Sequence, residues 1–257
     1  MRVKISTVSK NPSELTDIVC WQVVPIGAFI LGAWQIQRRK WKINLIEQLK
    51  ERTQAEPIGL PERMDELKTK EYYRINVRGR FLHDKEFTIG PRALLVNGAP
   101  ANEGDTGIFS TRSIGKGYCV ITPFKLANRD LTILVNRGWV PQHQKRPNVR
   151  KEGQIEGEVD ITGVIRLNEA RPAFVPANSP EKGIWLYRDI NAMGKFAGTD
   201  PIYIEQTVDN CVPGGPIGGQ TKIALRNEHL SYIITWYSLS AFTGYMWYKN
   251  FIMRVPI

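Results

Sequence analysis

Three histidines and three cysteines are the residues of this sequence with the widest range of chemistry. They are His83, His143 and His229, and Cys20, Cys119 and Cys211. The cysteines form no CxxC pair and share no zinc-type spacing with a histidine, and no HExxH or EF-hand pattern is present. The sequence therefore indicates no metal site. Cys119 and Cys211 either pair in an oxidising compartment or stay separate thiols, and both interpretations remain open.

Motifs for nucleophilic or phosphate chemistry are missing or incomplete. No GxSxG pattern occurs, so the sequence points to no hydrolytic triad. The segment Gly214–Thr221, GGPIGGQT, has the glycines of a phosphate-binding loop, but Gln220 stands where that loop requires a lysine. We interpret this segment as a structural turn.

His229 is the best candidate for binding a cofactor. It lies three residues before an apolar run that begins at Tyr232. A neutral imidazole at a membrane edge can ligate a haem iron. A hydrogen bond from His229 to Glu228, to a backbone group or to lipid headgroups is the alternative that the residues leave open.

Arg137 and Trp139 form a second candidate site, in the segment Asn136–Pro141, NRGWVP, at the end of a predicted strand. One interpretation is a surface that docks a partner, and the other is a turn in which the arginine packs over an aromatic ring. The basic segment Lys145–Lys151 lacks aromatic residues. It therefore favours a solvated loop over a surface that stacks on nucleic-acid bases.

The net charge of the chain limits the classes of partner that it can be expected to bind. Its 257 residues include 35 lysines and arginines against 25 acidic residues, a formal net charge of +10. Such a balance suits nucleic acid, an anionic membrane or acidic partners. The apolar residues are concentrated near the two ends of the chain, which favours the membrane.

The first apolar segment covers residues 18–37 and contains no charged residue. Its length is about that needed to cross roughly 30 Å of hydrocarbon, and Trp21 and Trp34 lie near its ends, where indole rings favour the interface. A cleaved signal peptide is the alternative, but the apolar core is long and basic residues follow it. We predict a tail over 1–17 and a first transmembrane helix over 18–37.

The second apolar segment covers residues 232–251 and is free of charge up to Lys249. No polar face appears at helical spacing, which favours a membrane span over a buried amphipathic helix. We predict a second transmembrane helix over 232–251 and a tail over 252–257. Two spans place both termini on one side and residues 38–231 on the other, but basic residues flank both ends of the first span and do not decide the orientation.

Residues 38–231 are predicted to form a soluble β-rich domain that opens with an amphipathic helix over residues 38–54. Short segments of strand type follow, separated by Gly, Pro and Asn, which is typical of an antiparallel barrel or sandwich. The predicted strands are Arg74–Phe81, Glu86–Ile89, Gly117–Thr122, Leu131–Val135, Val159–Ile165 and Ile202–Gln206.

Connections of two kinds complete the predicted domain. Asp189 is expected to cap a short helix that runs through Phe196. Gly98–Gly107 and Pro141–Gly157 are expected to be exposed loops.

Several motifs occur together in the order found in one known family. They are Phe29–Gln35, Trp41–Lys42, Gly90–Arg92, Thr122–Phe124, Val135–Pro141, Gly214–Leu230 and Thr235–Tyr237. Each motif alone is weak, but the ordered set is specific and covers nearly the whole chain. The sequence therefore resembles the Surfeit-locus cytochrome c oxidase assembly factor family, and its mitochondrial branch in particular.

The resemblance implies a multi-pass protein of the mitochondrial inner membrane whose central domain faces the intermembrane space. It implies a chaperone of complex IV biogenesis, not an enzyme, that acts early on the first catalytic subunit and in haem a delivery. The implied partners are that subunit, other assembly factors and membrane lipid, without nucleic acid. Carried to this sequence, His229 becomes the candidate haem a ligand, and Arg137 and Trp139 become partner-binding residues.

Two other functions are compatible with the composition. A membrane-anchored enzyme would use the β domain and would require a polar cleft with convergent groups of shifted pKa. A basic protein that binds anionic lipid or nucleic acid would lose affinity steeply with salt.

Overall fold

The structure, a computed structural model, describes residues 12–101, 117–223 and 227–253, with side chains from residue 21 onward. The chain forms two compact units. One is helical and contains helix α1 as far as Ile46 together with the last helix. The other is β-rich and begins at Glu47, so the final turns of α1 belong to it.

The two long helices are α1 (Pro12–Gln54), which belongs to the helical unit as far as Ile46, and α4 (His229–Phe251), which lies wholly within that unit. Ser240 Oγ donates a hydrogen bond of 2.8 Å to the carbonyl oxygen of Pro25. The Tyr237 ring meets the Phe29 ring edge-on, with 5.4 Å between their centroids. Because the contacts on α4 move toward its start as those on α1 move toward its end, the two helices run antiparallel.

The helices extend over the predicted spans 18–37 and 232–251, so the helical part of that prediction is confirmed. In the part of the chain that the structure describes, no helix is both long enough and apolar enough to cross a membrane. The two transmembrane segments are therefore not confirmed.

The β-rich unit contains nine strands within the described residues. They are β1 (Ile58–Gly59), β2 (Arg74–Phe81), β3 (Phe87–Arg92), β4 (Leu95–Val96), β5 (Ala99–Pro100), β6 (Gly117–Leu126), β7 (Thr132–Pro141), β8 (Glu158–Arg166) and β9 (Tyr203–Gln206). Two short helices, α2 (Met64–Leu67) and α3 (Ile190–Ala197), lie between strands.

Five of these strands close into a barrel in the order β2, β8, β9, β7, β6 and back to β2. Of the two architectures expected from the sequence, the barrel is therefore the observed one. The pairing of β7 with β9 is parallel and the other four pairings are antiparallel. Strands β1 and β3 extend the sheet beside β2 and β6, and β4 and β5 form a separate hairpin.

Gly79 lies where β2 passes from one neighbour to the other, since it pairs with both Val159 and Leu126. A Cβ atom at this position would collide with the carbonyl oxygen of Lys125. The absence of a side chain therefore lets the first and last barrel strands approach closely enough to close the ring.

Alternate side chains of the barrel strands fill two apolar clusters. On β7, Ile133 and Val135 belong to the cluster inside the barrel, whereas Leu134 belongs to the cluster outside it. The inner cluster consists of Leu60, Leu67, Ile75, Val77, Phe81, Phe124, Leu126, Ile133, Val135, Ile161, Ile165, Ile202 and Ile204.

The outer cluster joins the barrel wall to α3 and to Trp185, whose side chain is buried. The Asp189 carboxylate accepts a hydrogen bond of 3.0 Å from the backbone N–H of Ala192, which confirms the predicted helix cap. Ile190 and Met193 on the buried face of α3 then pack onto the barrel, so this helix fixes one layer of side chains outside it.

The predicted helix over 38–54 and the six predicted strands are all present, although β6 and β7 run four to six residues further than expected. The predicted loop Gly98–Gly107 contains β5 in its described part, and residues 102–107 lie outside the described ranges. The predicted loop Pro141–Gly157 contains three short 3₁₀ turns.

Candidate functional sites

His229 begins α4 and is half-buried. Its Nδ1 atom donates a hydrogen bond of 2.6 Å to Gln35 Oε1 on α1. A neutral imidazole that carries its proton on Nδ1 presents a lone pair at Nε2, which is the arrangement that outer hydrogen bonds impose on metal-binding histidines. The sequence pointed to His229 but not to Gln35, although Gln35 is a polar residue near the end of an apolar run.

Cys119, Cys211 and the glycine-rich segment form neither a disulfide nor a phosphate-binding loop. Cys119 and Cys211 are both free thiols, so they do not form a disulfide with each other. The Gly214–Thr221 segment forms a turn alongside β7, and the Gln220 side-chain oxygen accepts the backbone N–H of Leu95 at 2.9 Å. Across the described ranges, no cluster of three His, Cys, Asp or Glu side chains could hold a metal ion.

Arg137 and Trp139 lie within β7, not at the end of a strand as predicted. Their exposed fractions are 2% and 5%. The Trp139 indole donates a hydrogen bond of 3.0 Å to the carbonyl oxygen of Arg92. Burial leaves neither side chain accessible in this conformation, so a partner surface at these two residues gains no support from the fold and stays a prediction.

Arg137 lies at a β-bulge between β6 and β7. Val120 pairs with Gly138 while Ile121 pairs with Asn136, so Arg137 is the extra residue of β7. Its guanidinium lies 4.7 Å from the centroid of the Phe81 ring. The interpretation of a turn with an arginine over an aromatic ring is therefore right about the packing, but the segment is a strand and not a turn.

A buried ion pair lies near Arg137. The side chains of Glu86 and Arg150 are 2% and 0% exposed, and Arg150 binds both carboxylate oxygens. The prediction of a solvated Lys145–Lys151 loop is therefore wrong at Arg150, whose side chain turns inward. Burial lowers the pKa of Arg137, Glu86 opposes this change and the charge of Arg150 adds to it, and the resulting pKa is about 10. One carboxylate thus balances two buried guanidinium groups.

A cavity of about 350 Å³ lies on the outer face of the barrel. Glu205 on β9 faces it and accepts hydrogen bonds from Arg166 at 3.0 Å and from Arg188 at 3.1 Å. A second ion pair lines the same cavity, in which Arg92 Nη2 lies 2.6 Å from Glu169 Oε2. No local pattern in the sequence indicates this site, because its charges come from strands and loops far apart in the chain.

The pKa values of three groups that line the cavity, Cys119, Tyr203 and Glu169, are shifted away from neutral pH. Burial raises the pKa of the Cys119 thiol to about 12 and also raises that of the Tyr203 hydroxyl. Burial alone would raise the pKa of Glu169, but hydrogen bonds and charge from Arg92 bring it below its usual value. Because no shift moves toward neutrality, these groups favour ion binding over proton transfer.

The Arg92–Glu169 ion pair makes the free energy of unfolding depend on pH in the acidic range. We expect Glu169→Gln to lower the free energy of unfolding by about 1–2 kcal/mol at neutral pH, the order of a hydrogen bond to a charged group. A carboxyl with a depressed pKa in the folded state stabilises above its unfolded pKa and loses that contribution as pH falls through the folded value. The difference between variant and wild type should therefore shrink below about pH 4.

Urea unfolding of both proteins at neutral and acidic pH measures this change. The control is Glu181→Gln, since Glu181 is exposed, and its free energy of unfolding should equal that of the wild type at both pH values. An equal difference between Glu169→Gln and wild type at the two pH values would show that the charge of Glu169 is not responsible.

Comparisons with known proteins agree with the ordered motifs. The SURF1 family model matches residues 23–241. The chain is 50% identical to Surfeit locus protein 1 of Homo sapiens over 250 residues, which cover 96% of this chain and 82% of that protein. It is 46% identical to the Takifugu rubripes protein of the same name, covering 91% and 97%, and 43% identical to the SURF1-like protein of Drosophila melanogaster, covering 91% and 77%. The chain therefore belongs to the SURF1 family.

Proposed function

We propose that this protein is an assembly factor for cytochrome c oxidase in the mitochondrial inner membrane, acting as a chaperone and not as an enzyme. The observation that carries the proposal is its membership of the SURF1 family, with half of the residues identical to human Surfeit locus protein 1. Its partners would be the first catalytic subunit, at an early step, and other assembly factors, and the family resemblance supports this part of the proposal.

The helical unit would anchor the protein, with α1 and α4 as two membrane spans and the β domain in the intermembrane space. Large apolar side chains of both helices are exposed, which suits contact with lipid or with helices of the oxidase subunit. They are Trp21, Val23, Val24, Ile26, Phe29, Ile30, Leu31, Trp34, Leu230, Tyr232, Ile234, Leu239, Phe242, Tyr245 and Tyr248.

Hydrogen bonds within α4 make its hydroxyl groups compatible with lipid. Thr235 Oγ1 donates to the Ser231 carbonyl oxygen at 2.9 Å, and Thr243 Oγ1 donates to that of Leu239 at 2.7 Å. A hydroxyl that is bonded to its own helix exposes less unsatisfied polarity in a bilayer. Alkaline carbonate extraction and protease digestion of mitoplasts test the anchor, and complete release by carbonate would exclude it.

His229 would receive haem a as cargo and hold its iron through Nε2, because Gln35 accepts the proton on Nδ1. An absorption titration of the detergent-purified protein with haem a tests this role. We expect a Soret shift that saturates near one equivalent. The affinity should be at least about tenfold lower in Gln35→Leu, the usual range for loss of an outer hydrogen bond, and lower still in His229→Ala, which removes the ligand itself.

The exposed His143→Ala variant is the matched control and should titrate like the wild type. A shift that is absent from the wild type, or equal in His229→Ala, would remove the haem role. The assembly role has a separate test, which is expression in cells that lack their own Surfeit locus protein 1. Assembled oxidase on native gels should rise, and no rise with a correctly located protein would overturn the proposal.

A further inference from the structure

We propose that the cavity on the outer face of the barrel binds a small organic anion with a carboxylate head and a short apolar body. The cavity lies wholly within the β-rich unit, between the barrel wall and the β4–β5 hairpin. This inference does not depend on oxidase assembly or on haem.

The charge of the lining favours an anion. Four basic side chains face the cavity, Arg92, Arg166, Arg188 and Lys222, against two carboxylates, Glu169 and Glu205. Glu71 lies behind Arg166 at 3.5 Å and still leaves one positive charge in excess. In a partly enclosed site such an excess is poorly screened by water, so it attracts an anionic group.

The remaining walls are apolar and suit the body of the ligand. Ile89, Ala93, Leu95 and Pro100 contribute hydrocarbon surface. Cys119 adds an uncharged thiol, because burial raises its pKa to about 12. An apolar lining with a few convergent charges, in a volume of about 350 Å³, is typical of a small-molecule pocket.

Tyr72 gives a second, independent indication of a binding site. It has a φ of 71°, a left-handed conformation that is unfavourable for a bulky residue. Its hydroxyl accepts a hydrogen bond of 3.2 Å from Arg166, whose guanidinium lies 4.4 Å from the centre of the Tyr72 ring. Residues held in such a conformation concentrate at ligand sites, and here the result is a fixed orientation of Arg166 along the cavity wall.

Salt bridges alone do not account for this arrangement. A purely structural ion-pair network would balance its charges and pack without space, whereas here an excess of positive charge borders an open volume. Arg166, Arg188 and Glu205 fix each other, so two guanidinium groups of the cavity wall are held in place before a ligand arrives. Such pre-organisation lowers the cost of binding.

Calorimetric titration of the full-length protein with 4-phenylbutyrate tests the proposal, with 4-phenylbutanol as the neutral analogue and inorganic phosphate as the bare anion. We expect the carboxylate to bind at least about tenfold more tightly than either comparator. Lys222→Ala should weaken binding about threefold to tenfold, because it removes an exposed charge at the cavity. Ala93→Trp should abolish it by filling the space.

Lys195→Ala removes an exposed lysine from α3 and should leave the titration unchanged. Equal binding of the alcohol would show an apolar cavity without anion selectivity, and equal binding of phosphate would show an ion site without an apolar component. Either result, or wild-type affinity in Lys222→Ala, overturns the proposal. Because Lys222 is exposed, that variant decides the matter even where Ala93→Trp fails to fold.

Discussion

Replacing Glu86 with glutamine is expected to lower the free energy of unfolding by about 3–5 kcal/mol, the cost of removing one partner from a buried ion pair. Glu86 is the carboxylate bound to Arg150, and its charge also acts on Arg137. The glutamine is nearly isosteric, so the change removes charge and leaves the packing in place. Two buried guanidinium groups would then face each other without compensation. Chemical denaturation followed by circular dichroism measures the loss.

The double variant Glu86→Gln with Arg150→Met distinguishes charge from packing. It should recover part of the stability that the single change removes, because it leaves one fewer buried cation. Glu158→Gln is the matched control, since Glu158 pairs with Arg78 on the surface with more than half of each side chain exposed. A Glu86→Gln protein within about 1 kcal/mol of wild type would refute the uncompensated charge.

Gly79→Ala is expected to cost about 3 kcal/mol, at the upper end of the usual range for overpacking, because the new methyl group would collide with backbone. The collision is with the Lys125 carbonyl oxygen, where β2 meets β6 and the barrel closes. A backbone atom cannot move aside as the end of a side chain can. The two strands must therefore separate locally, and their amides should exchange hydrogen faster.

Gly59→Ala is the control, because Gly59 also lies in a strand but a Cβ atom there has no neighbour within 4 Å. We expect the free energy of unfolding of this variant to be close to that of the wild type. Similar losses of stability in the two variants would mean that a general effect of adding a methyl group to a strand, and not barrel closure, determines the effect at Gly79.

Strand positions were predictable wherever burial alternates. In β2, Ile75 and Val77 face the core while Asn76 and Arg78 face outward, so the period of two is visible in the sequence. The length of β7 was underestimated because the polar residues Asn136 and Arg137 follow Val135, although both are buried inside the strand. The parallel pairing of β7 with β9 leaves no local trace at all.

The sequence indicated single residues of the sites, but not the contacts that these residues make with distant parts of the chain. His229 was found from its place beside an apolar run, but its partner Gln35 lies 194 residues away. Arg150 was placed in a solvated loop because its neighbours are basic, whereas its inward position depends on Glu86, 64 residues earlier. The outer cavity depends on tertiary contacts among dispersed charges, which no spacing in the sequence indicates.

The position of β9 determines when the barrel can exist. Strands β7 and β8 are neighbours in the chain but not in the sheet, because the four residues of β9 lie between them. Until the ribosome has made residues 203–206, β7 and β8 each present an unpaired edge, and edges of this kind promote aggregation. A message truncated before Tyr203 would therefore yield no smaller working barrel, only an open sheet that quality control must remove.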